Sequence, residues 1–494
     1  MPETAVIGLD LGTSACKAIA FAADGRRLAQ ARVSYETRVA PDRVEQDPGL
    51  WTRAACTCLT GIADQLAGRS VAAIGLSGQI GTYVLVDDAG QPLADAVTWQ
   101  DARSSTYVQP VAEQVPNDWL TAELDTRLPP SATWPLPRLA WLNAEFPDAV
   151  SRARYLLSPK DFLVWTLTGS LASDASSWRG ITRPDGTVVT EALRRLGLPD
   201  LIPPMARPDQ AAGGLTAQIA TATGLPTGTP VMTGLSDLNA GFVGIGAIRA
   251  GAAFDIGGTS EHLGFVARSL ADDWRVASVP LHAVDTSLYA VYGVTSNAGS
   301  VTAWVATSLL ADGQDYSAVA GQAEPGAQGL LCVPYLYGER APIWDPRATG
   351  GFIGLANVHG RPDFVRAALE GVAFNLRAIR DAIPEASRSG EPIRSTGGTA
   401  RSPLWNQIKA TVLHQPLQLL EETESAALGA AILAGVGAGV FARVDEGCAA
   451  MVRTGPLIEP ADDLIPLYDS AYTRYTQAAA LVRDLAGPNE RNPQ

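Results

Sequence analysis

Three short stretches of this 494-residue chain carry the residue types that bind and transfer phosphate. Near the start stands Asp10-Leu11-Gly12-Thr13-Ser14, and past the middle its counterpart, Asp255-Ile256-Gly257-Gly258-Thr259-Ser260. A turn of Gly, Thr and Ser offers backbone N–H groups and hydroxyls to phosphate oxygens without needing a lysine. An aspartate that opens such a turn can hold Mg2+, mostly through water, because that ion keeps several waters and takes few carboxylates. Asp10 has this placement, which also suits an aspartate that only caps a β-turn. The third stretch is Ser395-Thr396-Gly397-Gly398-Thr399-Ala400-Arg401-Ser402, between a short strand and a helix start. Its glycines allow close backbone approach, and a helix N-terminus favours anionic or polar groups. A plain strand-to-helix turn with Ser402 as N-cap has the same composition.

A fourth stretch, Gly234-Leu235-Ser236-Asp237-Leu238-Asn239-Ala240-Gly241, precedes the second of these turns. Asp237 follows an apolar strand, Pro230 to Thr233, and opens a Gly/Ala-rich helix, so it belongs where two halves of the chain meet. Phosphoryl transfer to a hydroxyl needs a carboxylate that orients the hydroxyl and accepts its proton. A helix N-cap would also put an aspartate there. No G-x-x-x-x-G-K-[ST] sequence occurs, which excludes a P-loop, and no G-x-G-x-x-G supports a dinucleotide cofactor.

These residues need elements to hold them. Ala5 to Leu9, Lys17 to Ala22 and Arg27 to Tyr35 read as a β-meander with tight polar turns. A helix is expected over Pro48 to Leu66, with Asp47 as N-cap and Pro48 at its first position. Strands follow at Ala72 to Leu76 and Tyr83 to Val86, then helical stretches at Arg138 to Glu145 and Lys160 to Thr168 in a Pro-rich middle. The two Asp-apolar-Gly-…-Thr-Ser copies both sit between β-rich apolar stretches. They suggest two related lobes, each opening with a hairpin whose turn faces a shared cleft. The expected division is residues 1–247 and 248–486, with a polar tail at 487–494. The second part should carry helices at Gly299 to Leu310, Arg361 to Ile383, Pro403 to His414 and Ser425 to Gly437.

Composition bounds the function. Apolar residues make up 46% of the chain and charged ones 18%, enough for buried cores, and the length favours two large domains. A net charge of −14 repels nucleic acid and anionic membranes. The five cysteines, Cys56 and Cys58 among them, read as buried thiols of a reducing compartment, and the four histidines lack metal-ligand spacing. No basic-then-apolar leader is visible, and the longest apolar run, Ala426 to Val440, is a packed Ala/Gly helix rather than a membrane span. A soluble cytoplasmic protein is expected.

Nine pieces in order resemble the FGGY family of carbohydrate kinases over nearly the whole chain. They are Ile7 to Ser14, Glu45-Gln46-Asp47-Pro48, Ser77-Gly78-Gln79, Trp99 to Arg103, Pro159-Lys160-Asp161, Gly234 to Asp237, Gly257 to Ser260, Pro334 to Arg340 and Thr396-Gly397-Gly398. The resemblance implies an α/β fold of two actin-like, ribonuclease-H-type lobes with ATP and Mg2+ in the cleft. It makes Asp237 the catalytic base and Asp10 the metal-associated carboxylate. Thr13, Ser14, Lys17, Gly258 and Thr259 fall to the phosphates, and Gly299, Gly397, Gly398 and Ser402 to the ribose and base. Gln79, Ile80 and Gly81, with Trp99, Asp101 and Asp237, fall where family members contact the sugar. A small-molecule sugar or polyol is the implied partner, without nucleic acid or membrane, and with room for a homodimer.

The chain departs from its family at the acceptor. Xylulokinases carry Gln-Met-His-Gly and glycerol kinases Gln-Arg-Glu-Thr where this chain has Gln79-Ile80-Gly81-Thr82. Gly81 either widens the pocket or frees a backbone amide. Trp344-Asp345-Pro346 is similar to glycerol kinases, and Gly338-Glu339-Arg340-Ala341-Pro342 to gluconokinases and xylulokinases. A neutral polyhydroxylated acceptor, a ketopentose such as xylulose or a linear polyol, fits Gln79 and Gly81 better than one with a carboxylate, and a gluconate- or glycerol-type kinase of the same family is the alternative. A catalytically inert actin-like sugar sensor is the alternative of another class. Retention of both Asp237 and Asp10 speaks against it, since a sensor needs no base.

Overall fold

A computed structural model describes residues 4–128, 131–311 and 313–486, so the expected tail at 487–494 lies outside the described residues. The chain opens with β1 (Ala5–Leu11), β2 (Ala15–Phe21) and β3 (Arg27–Ser34), an antiparallel meander as the alternation predicts. The helix α1 (Pro48–Leu66) follows, its N-cap Asp47 accepting the Gly49 amide at 2.8 Å. It packs Trp51, Leu59 and Ile62 against the sheet. Then come β4 (Val71–Gly78), α2 (Pro159–Thr168), β5 (Pro230–Met232) and α3 (Asp237–Gly244). In space the strands run β3-β2-β1-β4-β5, with β4 and β5 parallel to β1.

The second half repeats this plan. β6 (Ala253–Gly257), β7 (Glu261–Ala267), β8 (Ala277–Leu281) and β9 (Asp285–Thr295) precede α4 (Gly299–Ser308). Next are α5 (Arg361–Ala382), β10 (Ile393–Gly397), α6 (Pro403–Leu413), β11 (Leu417–Leu420) and α7 (Ser425–Gly437). Here the order is β9-β7-β6-β10-β11, again an antiparallel meander followed by two parallel strands. The shared core of both sheets matches, with β8 added in the second half at the outer edge beside β9, so the two Asp-Gly-Thr-Ser copies mark a true internal repeat with the two-lobed architecture expected.

One helix sits where its place in the chain does not suggest. α7 follows β11 of the second sheet, and a last strand of that sheet, Thr454–Ile458, comes only after it, yet α7 lies on the first sheet, over β1 and β4, and crosses α3. Its backbone comes so near that a Cβ on Gly8 would stand 1.8 Å from the Ala427 carbonyl oxygen, and one on Gly75 1.8 Å from that of Ala430. Glycine is required at both positions because only a hydrogen atom fits. The Ala/Gly richness that marks Ala426 to Val440 thus serves helix-on-sheet and helix-on-helix contact. Among the described residues no helix is long and apolar enough to cross a membrane. Cys16, Cys58, Cys332 and Cys448 are buried free thiols, and Cys56 is half-buried.

Candidate functional site

Both repeats build their turn in the same way. β1 and β2 pair Asp10 with Lys17 and Leu11 with Cys16, leaving Gly12, Thr13 and Ser14 as the connecting turn. Parallel β4 sets Ser77 beside Asp10, and the Ser77 hydroxyl donates to Asp10 Oδ1 at 2.5 Å. In the second half β10 sets Ser395 beside Asp255, and that hydroxyl donates to Asp255 Oδ2 at 2.7 Å. The difference is a lysine. Lys409, on α6, donates to Asp255 Oδ2 at 2.7 Å and to Glu261 Oε1 at 2.8 Å. Burial would raise Asp255, but Lys409 holds it below the usual carboxylate range. Burial, with the Asp255 charge beside it, pushes Glu261 up to about 8.

In the first half the buried lysine of the matching helix, Lys160 on α2, is turned away. It donates to Asp161 Oδ1 at 2.6 Å and the Thr233 carbonyl at 3.0 Å, and lies 3.1 Å from Asp174. Among the described residues the Asp10 carboxylate therefore keeps only Ser77 as a hydrogen-bond partner, and burial raises its pKa, opposed by Ser77 and the Lys17 charge. A carboxylate in this condition can take a hydrated dication, whereas Asp255 is already neutralised. The lobes have the same frame, and only the first leaves its aspartate open. Lys17 itself is held by Glu424 at 2.5 Å, so its expected place at the phosphates is occupied by an ion pair.

Asp237 is the first residue of α3, and its Oδ1 accepts the next amide, that of Leu238, at 2.8 Å. The cap position is Ser236, so Asp237 is not an N-cap. Burial, then the Asp10 charge, pushes Asp237 up to about 7, against the opposing pull of the Leu238 amide, Arg179 and the Ile80 amide. Leu235 and Ser236, just before Asp237, pair in parallel with Ser77 and Gly78, and Ser77 bonds Asp10, so the two aspartates stand in one site. A base poised near neutrality suits proton removal from a hydroxyl.

The acceptor side is organised by Gln46, which is fully buried. The Trp51 indole N–H can only donate, and it donates to Gln46 Oε1 at 3.0 Å. Gln46 Nε2 then donates to the Thr13 carbonyl at 2.6 Å and to Thr37 Oγ1 at 2.8 Å. Gln79 Nε2 donates to the same Gln46 Oε1 at 2.9 Å, which leaves Gln79 Oε1 a buried acceptor without a partner. Trp99 Nε1 donates to Thr13 Oγ1 at 2.9 Å. The turn at Thr13 is thus held by its carbonyl from Gln46 and by its hydroxyl from Trp99, both tied to the acceptor side.

Gly81 has φ +78°, and a Cβ there would lie 3.0 Å from Thr133 Cβ and 3.3 Å from Trp99 Cβ. The space is filled, so this glycine shapes a turn and does not widen the pocket. Asp101 departs from its expected role too. Its carboxylate is buried and accepts the Val44 amide at 2.8 Å and Arg103 Nε at 3.0 Å, so it braces the wall behind the acceptor instead of facing it.

On the nucleotide side, Gly258 and Thr259 are exposed at the tip of the β6–β7 turn. The Gly299 amide donates to the Gly258 carbonyl at 3.0 Å and the Ser300 amide to that of Thr259 at 3.1 Å, docking α4 onto the turn. A Cβ on Gly299 would stand 2.4 Å from the Gly258 carbonyl oxygen. Gly397 has φ +94° and Gly398 faces open space. Ser402 is spent on helix α6: its hydroxyl accepts the Trp405 amide at 3.2 Å and lies 2.9 Å from Ser317 Oγ. It caps the helix, the plainer of its two readings. Gln46, Ser77, Lys409 and Arg179 carry roles that sequence reasoning did not assign. The first two lie inside conspicuous motifs, while nothing local marks the others.

Comparison with known proteins agrees with this geometry. The chain matches the N-terminal domain of the FGGY family of carbohydrate kinases over residues 5–244 and the C-terminal domain over residues 255–438. It is 29% identical to a xylulose kinase of Staphylococcus epidermidis, over 96% of each chain. It is 28% identical to a gluconokinase of Bacillus subtilis, over 97% of this chain and 98% of that one. Among solved structures, a ligand-bound xylulose kinase of Lactobacillus acidophilus superposes with a TM-score of 0.89 at 25% identity, covering 98% of this chain and 99% of that one.

Proposed function

The chain belongs to the FGGY family of carbohydrate kinases, and from that premise we propose that it transfers the γ-phosphate of MgATP to a hydroxyl of a ketopentose of the xylulose type or a linear polyol. The observation that carries this is the meeting of Asp237 with the Asp10 turn across Ser77, which pairs with the strand leading into Asp237 and bonds Asp10, while burial and the Asp10 charge raise Asp237 to about 7. Asp237 orients the acceptor hydroxyl and takes its proton as the bond to phosphorus forms. The turns at Thr13–Ser14 and Gly258–Thr259 offer donors to the phosphates from opposite lobes, and Gly299, Gly397 and Gly398 shape the nucleotide side. The Asp10 carboxylate, bonded among the described residues only to Ser77 through Oδ1, has in Oδ2 the oxygen that Mg2+ with its waters requires. Such an ion supplies charge neutralisation at the phosphates. Gln79, the Ile80 amide, Gly81 and Trp99 position the acceptor, with Asp101 bracing them. Closure of the lobes excludes water, so that the acceptor hydroxyl attacks.

The lobes are read as residues 1–247 and 248–486, in a cytoplasmic enzyme with room for a homodimer. Acceptor-dependent ADP release from purified protein tests the reading, with D-xylulose, D-ribulose, erythritol, glycerol and D-gluconate as acceptors. Stimulation by a ketopentose or polyol is expected. Release that none of the five stimulates would overturn it.

A further inference from the structure

One cation beside the acceptor turn, so far named only for its pull on Asp237, has no contact with the acceptor in the roles above. Arg179 is 6% exposed, and its Nη1 donates to the Tyr292 hydroxyl at 3.1 Å. The guanidinium carbon lies 5.1 Å from the centroid of the Trp134 ring. Nε is sealed from solvent and has no partner, and among the described residues the side chain forms no ion pair. A dry guanidinium without an anion is costly, and one phenol hydrogen bond with one ring contact offsets only part of that.

Its surroundings are those of the acceptor site. Trp134 follows Thr133, the residue that fills the space in front of Gly81. Tyr292, on β9 of the other lobe, has its ring 6.0 Å from that of Phe242 in α3, the helix that Asp237 opens. Ser176, three residues before Arg179, accepts the amide of Ser236, the neighbour of Asp237, at 3.1 Å, and the Arg179 charge opposes the rise that burial imposes on Asp237. Arg179 thus stands between the base, the acceptor turn and the opposite lobe.

A guanidinium has five N–H donors and no acceptor, arranged as a planar fork. The fork matches the in-plane lone pairs of an sp2 oxygen better than those of a hydroxyl, which also brings its own proton. We propose that Arg179 is a specificity-determining residue that donates to a carbonyl or carboxyl oxygen of the acceptor, so that the protein selects a ketose or a polyhydroxy acid over the polyol that lacks that oxygen. The proposal rests on the sugar-kinase reading and revises its acceptor class, keeping the ketose, setting the polyol below it and admitting the polyhydroxy acid.

Calorimetric affinities for D-xylulose, D-gluconate and xylitol test it, in the wild type and in Arg179→Gln and Arg179→Lys. In the wild type, at least one of the first two should bind about tenfold more tightly than xylitol or better, because a site built to pair an oxygen discriminates against its absence. Which one holds the advantage identifies the ketone or the carboxylate as the source. Arg179→Gln should erase the advantage, with xylitol affinity within about twofold. Arg179→Lys should fall between, having the charge without the fork. Equal wild-type binding of all three ligands overturns the proposal without any variant, which also decides the matter if Arg179→Gln does not fold. So does an equal loss for all three in Arg179→Gln, or a raised KM for ATP with acceptor affinities unchanged. Failure of every acceptor to stimulate ADP release defeats the sugar-kinase reading, whereas turnover with an unchanged ranking defeats only the role of Arg179.

Discussion

Asp237 has its character from burial and four neighbours: burial and Asp10 raise it, and Arg179 with the Leu238 and Ile80 amides restrains it. Asp237→Asn should lower kcat by at least about 100-fold while acceptor and MgATP still bind, as general-base removal does. The wild-type rate should fall on an acid limb near pH 7, where the carboxylate takes up its proton. Stability carries the opposite sign. A carboxyl raised from the usual 3.8 to about 7 costs the folded state progressively across that interval and fully above it. The Asn variant should therefore melt increasingly above the wild type from pH 5 to 7, with a constant gain at higher pH. Equal melting temperatures at pH 5 and pH 8 would contradict the burial argument. Gln46 is the second residue whose neighbours set its task. Gln46→Leu strands the Trp51 indole, the Gln79 amide and the Thr13 carbonyl, so a loss on the order of 3 kcal/mol is expected in denaturant unfolding. Its KM for ATP should also rise, since Thr13 loses a tether; an unchanged KM would show that Trp99 alone positions the turn.

Among the elements, α7 depends on the glycines beneath it. Gly8→Ala places a methyl 1.8 Å from a carbonyl oxygen of the helix backbone, where nothing flexible can yield. Overpacking of this kind costs about 1–3 kcal/mol or more, because the helix must lift from β1 and β4. The expected result is a lower denaturation midpoint together with lost activity, since α7 also packs on α3 and so locates Asp237. Normal activity in a folded Gly8→Ala variant would mean α7 has no part in placing the base. The α6 helix has a different dependence. Lys409→Met leaves Asp255 and Glu261 buried together without a cation, and breaking such a group costs about 3–5 kcal/mol. Glu261 already sits at about 8, so acid relieves the strain by protonating it. The loss in urea unfolding should be greater at pH 8.5 than at pH 6; a pH-independent loss would point to packing alone.

The whole molecule repeats one topology and then uses the copies differently, with the cation held inside the second copy and the open aspartate in the first. The lobes also touch along one edge. Arg127 and Ser278 exchange both backbone hydrogen bonds at 2.9 Å, while Tyr289 donates to Asp125 and Arg179 to Tyr292. Opening the cleft by rotating one lobe breaks the backbone pair as a unit. The amides of Arg127 and Ser278 should accordingly exchange hydrogen together, and slow together when acceptor and nucleotide are both bound. Unequal responses of the two amides would show that this edge stays shut while the cleft works.

The strands of the first meander, α1 with its Asp47 cap, and α5 to α7 stand within a few residues of where hydrophobic period and capping residues put them. Those signals are local: an N-cap oxygen or an alternating face acts within a turn or two of its own residue. The paired Asp-Gly-Thr-Ser turns were also legible, because a repeat preserves spacing, and so was Asp237 at a strand-to-helix junction. Tertiary structure decided the rest. Whether Asp10 or Asp255 stays open depends on lysines about 150 residues away from each in sequence, Lys160 and Lys409, and on which way their ammonium groups turn. Whether Gly81 opens a pocket or fills a turn depends on Thr133, and whether Asp101 faces the acceptor depends on Val44 and Arg103. Spacing along a chain shows which groups are available, but hydrogen-bond valence is finite. Only contact in three dimensions shows which groups have already used theirs.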